Sequence, residues 1–134
     1  MCGGFAPITD VVKTRVLEMA RWRNAHDPFK TGANPIPERI ITRPPSAELR
    51  ADQTDQDSLP PYEVLDAIIE RYVENDMGVA ELVAEGFKPD DVELVTRLIK
   101  INEYKRQQSA VGTRVTHRGF GKDWRYPMTN KFRA

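Results

Sequence analysis

The chain predicts a mainly α-helical fold, and three observations predict it. Apolar residues recur at helical spacing in three windows, around Val12–Ala20, Tyr62–Tyr72 and Leu94–Ile101. Helix-starting residues stand just before them: Thr9, the pair Pro60 and Pro61, and Pro89. No alternation of apolar and polar residues is long enough to predict a strand.

The first helix is expected over residues 9–24, with Thr9 as its cap, Asp10 in its first turn and Val12, Val16, Met19 and Ala20 on one face. His26-Asp27-Pro28 should end it, because the residue before a proline avoids helical backbone. Residues 25–35 read as loop. A short turn of helix can open at Pro37 and take in Glu38–Ile41.

Residues 42–60 hold Pro44, Pro45 and Pro60, four acids and almost nothing to bury. Such a stretch inside a domain is usually a lid or disordered, and a lid loop is the reading adopted. Residues 61–108 read as a helical region. Tyr62, Leu65, Ile68, Ile69 and Tyr72 form its first stripe, and Gly78 interrupts it. Val79–Ala84 then makes a short helix closed by Gly86. Pro89 opens the last helix, Asp90 and Asp91 suit its positive end, and Leu94, Leu98 and Ile101 mark its buried face. Residues 109–134 form an irregular tail in which Gly112, Gly119 and Gly121 alternate with threonines, arginines and aromatics.

At 134 residues the chain is long enough for one domain. No apolar run could span a bilayer, and the first residues lack the charged start of a signal peptide. A lone Cys2 excludes an internal disulfide framework and fits a reducing compartment, so the cytoplasm is expected. Net charge is zero, yet residues 104–134 carry eight Lys and Arg against Asp123. That end suits a local anion or an acidic surface rather than nucleic acid in general. Its Phe120, Trp124, Tyr126 and Phe132 could stack bases, but packing on this chain or a partner, with arginines at the rim, is the commoner outcome.

Few residues suggest chemistry by pattern alone. Gly3-Gly4 before a helix bearing Lys13 is an anion-site pattern, because glycines and a helix start expose N–H groups. Spacing alone favours a solvated lysine. Lys105 stands four residues beyond Ile101, so its stem would lie on apolar surface with the ammonium at an edge. Pattern alone favours a snorkelling lysine that complements the helix dipole over one that binds a ligand. Ser46 either bonds a phosphate or caps a turn, and the turn is the simpler reading. His26 and His117 are far apart, Cys2 has no base nearby, and Asp52, Asp55 and Asp57 lack the Gly and Glu of a calcium loop. No metal ligand and no catalytic residue is expected.

Three strings in order give a more specific reading: MCGGFAPITDVVKT at 1–14, PPSAELRADQTDQDSLPPYEVLD at 44–66, and EYKRQQ at 103–108. Together they resemble the C-terminal part of an NAD synthetase, an ATP-dependent ligase that amidates deamido-NAD. The tail THRGFGKDWRYPMTNKFR is similar to the end of the long, glutamine-dependent bacterial enzymes. The resemblance covers essentially the whole chain and is weakest over residues 24–36.

That resemblance implies a fold and a set of contacts. The family domain is a doubly wound α/β sandwich of the adenine nucleotide alpha-hydrolase type. This chain would be its helical C-terminal portion, with a long lid loop and the irregular tail. Lys13 would contact ATP phosphates, Ser46 would do so from the lid, and Lys105 would contact deamido-NAD. The family's reaction transfers AMP from ATP to the nicotinate carboxylate with magnesium, then lets ammonia displace it. In the long enzymes glutamine supplies that ammonia.

The family's SGGxDS nucleotide loop, its magnesium carboxylate and most of its sheet have no counterpart here. The chain alone is therefore expected to be inactive and to bind no nucleotide tightly. Helices without their sheet expose apolar faces, so a homo-oligomer is expected, with neither nucleic acid nor membrane as a partner. A stand-alone helical interaction module without catalysis is the alternative.

Overall fold

The computed structural model describes residues 4–32, 34–45, 55, 58–129 and 131. Among these, the order is α1 (Lys13–Ala25), α2 (Glu38–Thr42), α3 (Tyr62–Ile69), α4 (Val79–Ala84), α5 (Pro89–Ile101) and α6 (Glu103–Gln107). A single parallel bridge, Phe5 with Val111, is the β pairing among the described residues. The mainly helical character read from the sequence is therefore what the chain adopts.

Ile68 and Tyr72, four residues apart, put one face of α3 and the π turn after it (Glu70–Glu74) into the core. They meet Leu82 of α4 and Val92 and Val95 of α5. Phe87, Ile99 and Trp124 close around this cluster. Each fully buried aliphatic side chain contributes roughly 1.5–3 kcal/mol relative to exposure, so this group stabilises the α3–α5 region most.

The helix ends follow local chemistry. Glu81 reaches back to accept the Gly78 N–H at 2.6 Å, which fixes the start of α4. Gly86, at φ 102°, ends it. Pro89 opens α5, as its fixed φ favours.

Three expectations change. The first helix starts at Lys13, not Thr9: residues 7–10 form a turn instead, and the Asp10 carboxylate is engaged with the tail. None of the thirteen residues of α1 is buried, so its Val16–Met19 face is not covered as the periodicity implied. The buried face of α5 is Val92, Val95 and Thr96, while Ile101 is exposed. Thr96 can face inward because its hydroxyl donates to the Val92 carbonyl at 2.8 Å.

Candidate functional site

The segment before α1 and the segment after α6 run side by side. The Ala6 N–H donates to the Val111 carbonyl at 2.7 Å, beside the Phe5–Val111 bridge. Gly112 lies so close that a Cβ there would stand 2.3 Å from Thr9 Cγ2 and 2.6 Å from the Ala6 carbonyl. No side chain larger than hydrogen fits this crossing without a shift.

Asp10 completes the junction. Its Oδ2 accepts from the Val115 N–H, the Thr116 N–H and the Thr116 hydroxyl at 2.6, 2.8 and 2.9 Å. Its Oδ1 accepts from the Phe120 N–H at 2.6 Å. Burial alone would raise this carboxyl, but the three backbone donors and the hydroxyl outweigh it and hold the group below the usual carboxylate range. An acid read as a helix-start residue instead fastens the tail.

The start of α1 is also held from a distance. Val12, at the cap position, offers no side-chain acceptor, and Asp66 of α3 takes the Thr14 N–H at 2.9 Å. This occupies a helix N–H that an anion would otherwise use. Gly4 lies nine residues before the helix, and Gly3 falls outside the described residues, so the glycine pair is not at the helix start. Lys13 is half-exposed at that end, next to the buried Asp66 carboxylate's donor.

Lys105 does not continue the buried stripe. The Asn102 side chain donates to the Leu98 carbonyl at 2.8 Å and ends α5, and the short α6 starts afresh. Lys105 is exposed on it, its ammonium 5.9 Å from the Tyr104 ring centre. The buried step is Glu103, four residues beyond Ile99 and fully enclosed. Its carboxylate meets Arg125 at 3.1 Å and Arg106 at 3.5 Å as ion pairs without an aligned hydrogen bond. Arg106 also donates to the Phe120 carbonyl at 3.0 Å and to the Asp123 carbonyl. Glu103 thus ties α6 to the tail.

The tail packs on this chain. Trp124 stands edge-on to both Tyr72 and Tyr126, with ring centres 5.1 and 5.0 Å away. The Tyr72 and Tyr126 hydroxyls share a 3.0 Å hydrogen bond. Arg118 pairs with Asp76 through both guanidinium nitrogens. Most of the tail's arginines therefore serve internal contacts, which fits packing better than base stacking.

Ser46 lies outside the described residues, as do residues 47–54 of the expected lid loop. The ends of that loop are joined: the Asp55 N–H donates to the Pro45 carbonyl at 2.9 Å, and the Tyr62 hydroxyl donates to Asp55 Oδ2 at 2.6 Å. Burial, then the Asp55 carboxylate, raises the Tyr62 hydroxyl well above its ordinary range, so it stays a donor.

The geometry thus fastens together the segments bearing Lys13 and Lys105, and leaves both lysines at the surface. Asp10, Asp66, Glu103 and Gly112 were not singled out from the sequence as structural anchors. For Glu103 a signal existed: Val95, Ile99 and Glu103 are successive four-residue steps.

Residues 1–109 match the NAD synthase family. The chain belongs to that family. A glutamine-dependent NAD(+) synthetase of Rhodobacter capsulatus is 55% identical over 136 aligned residues, covering 99% of this chain and 25% of the relative. One from Xanthomonas campestris is 52% identical over 132 residues, 98% of this chain and 23% of the relative. The glutamine-dependent NAD+ synthetase of Acinetobacter baumannii, solved with ADP, superposes with TM-score 0.52 at 45% identity, over 90% of this chain and 20% of that one. The chain spans about a quarter of the length of these curated relatives. The match to glutamine-dependent members runs past residue 109 and takes in the tail, as the tail's resemblance led one to expect.

Proposed function

We propose that this chain is the C-terminal part of the synthetase unit of a glutamine-dependent NAD synthetase. The carrying observation is identity near 50% along essentially its whole length to proteins of that name. In this reading the complete enzyme adenylates deamido-NAD with ATP and amidates it with ammonia. Lys13 and Ser46 contact ATP phosphates, and Lys105 contacts deamido-NAD.

The chain's own residues support binding and enclosure rather than bond making. A half-exposed Lys13 and an exposed Lys105 can offset phosphate charge as it builds. With Asp66 on the Thr14 N–H, the Lys13 ammonium rather than that N–H is the group free to meet a phosphate. The loop whose ends Pro45, Asp55 and Tyr62 join would close over the reactants and exclude water from the adenylate. Magnesium would supply charge neutralisation at the phosphates. Among the described residues no group of three or more His, Cys, Asp or Glu could hold it, so no step here runs through it.

The isolated chain should give no NAD from deamido-NAD, ATP, magnesium and ammonium. Adding the remaining portion of a relative's synthetase unit should restore formation, and Lys13→Ala or Lys105→Ala should then lower it about 10-fold or more. Turnover by the chain alone would overturn this reading. The unburied α1 favours a second one, a helical interaction module without catalysis. It predicts association with no NAD formed in any mixture.

A further inference from the structure

We propose that the backbone of Phe120 is the link that spaces the two candidate lysines, with Asp10 and Arg106 as the positioning residues at its ends. Only what Lys13 and Lys105 contact is taken from the functional reading above. The Phe120 N–H donates to Asp10 Oδ1 at 2.6 Å, and its carbonyl accepts from Arg106 Nε at 3.0 Å. Asp10 lies three residues before Lys13, the first residue of α1, and Arg106 directly follows Lys105 in α6. One tail residue therefore joins the start of α1 to α6 through two hydrogen bonds. The Arg106 guanidinium also faces the Phe120 ring, 5.4 Å from its centre.

Both ends of the link are fully engaged. Asp10 uses each of its carboxylate oxygens on the tail. The Arg106 side chain is 11% exposed, and its three nitrogens meet the Phe120 carbonyl, the Asp123 carbonyl and the Glu103 carboxylate. A satisfied, largely buried polar network rigidifies what it joins. Apolar contacts already dock the tail, through Trp124 against Tyr72 and Tyr126. The polar link adds direction, which burial of apolar area does not supply.

The backbone crossing at Ala6 and Val111 lies farther off, seven residues before Lys13 and six after Lys105. It brings the two segments together, while Asp10 and Arg106 act beside the lysines themselves. If Lys13 holds ATP phosphates and Lys105 holds deamido-NAD, their spacing sets how the two reactants meet. Displacing reacting atoms by about 1 Å can cost roughly 100-fold in rate. Loosening the link should therefore lower kcat rather than weaken the binding of either substrate.

The test places nitroxide labels at Lys13→Cys and Lys105→Cys in the full chain with Cys2→Ser, and reads their distance distribution by pulsed electron paramagnetic resonance. A narrow distribution is expected. Asp10→Ala should widen it about twofold or more, as should Arg106→Lys, whose single ammonium cannot serve all three partners. Arg71→Ala breaks the pair with Glu85 and leaves the link intact, so it should lower the melting temperature without widening the distribution. Circular dichroism should show every variant as helical as its parent. Equal widths throughout, or equal widening in Arg71→Ala, would overturn the proposal.

A second arm uses the Xanthomonas campestris relative with this chain in place of its matching 132 residues. Asp10→Ala and Arg106→Lys should each lower kcat for NAD formation about tenfold or more, with KM for ATP and deamido-NAD within about twofold. An active chimera whose kcat is unchanged by both would overturn the positioning role. A folded chimera that makes no NAD, with the label distribution widened as expected, would leave the link standing and remove the catalytic reading.

Discussion

Asp10 and Thr116 are 106 positions apart, and one carboxylate oxygen of Asp10 takes both the backbone N–H and the hydroxyl of Thr116. Asp10 is 7% exposed, so these bonds form out of water. Replacing it with Ala strands several donors at once, each costing about 1–3 kcal/mol if left unpaired. Asp10→Ala should release residues 110–129 to limited proteolysis while leaving the α3–α5 cluster folded. Asp10→Asn, which keeps one acceptor oxygen, should lose less. A tail equally protected in Asp10→Ala would remove its anchoring role.

The same contact gives a pH dependence with a definite sign. The folded carboxyl lies below its unfolded value of about 3.9. Its stabilisation is therefore fully present above that value and is lost as pH falls through the lower, folded value. Protection of the tail should hold from neutrality to about pH 5 and fail in stronger acid. In Asp10→Asn this acid step should vanish.

Gly112 sits where a Cβ would overlap Thr9 and the Ala6 carbonyl. Gly112→Ala should force the two segments apart and destabilise by about 1–3 kcal/mol, as overpacking does. Chemical denaturation reads this directly. Gly121, with open space around it, should accept Ala with a change within about 0.5 kcal/mol.

Glu103 is fully enclosed between Arg106 and Arg125. Removing one partner of a buried ion pair costs about 3–5 kcal/mol, and the exposure of Arg125 places Glu103→Ala at the lower end. The loss should loosen α6 and the tail together, seen as a red shift of Trp124 emission in a Trp22→Phe background. An unchanged melting temperature would show that the two arginines are satisfied without it.

Tyr62→Phe removes the hydroxyl that holds Asp55. Chemical denaturation should show the loss as about 1 kcal/mol of stability. An unchanged midpoint would mean that the Asp55–Pro45 backbone bond suffices.

Much of this architecture was legible because its causes are local. Pro37, Gly78, Gly86 and Pro89 act through their own backbone, and each sets a helix boundary where it was expected. Asn102 was legible in principle, since a side-chain amide can compete with the helix ladder, but the apolar stripe on either side masked it.

By itself the sequence determined the helical class, the positions of α2, α4 and α5, and a family likeness carried by three ordered strings. Tertiary structure alone decided which charges matter. Asp10, Asp66 and Glu103 are ordinary acids by composition, and each acquires its role from donors 52 to 110 residues away or from two arginines that enclose it. The α1 surface was decided the same way: its spacing implied a covered face, but burial depends on what the rest of the chain places there. Periodicity records where an apolar stripe lies, while long-range packing determines which stripe is filled and which is left exposed.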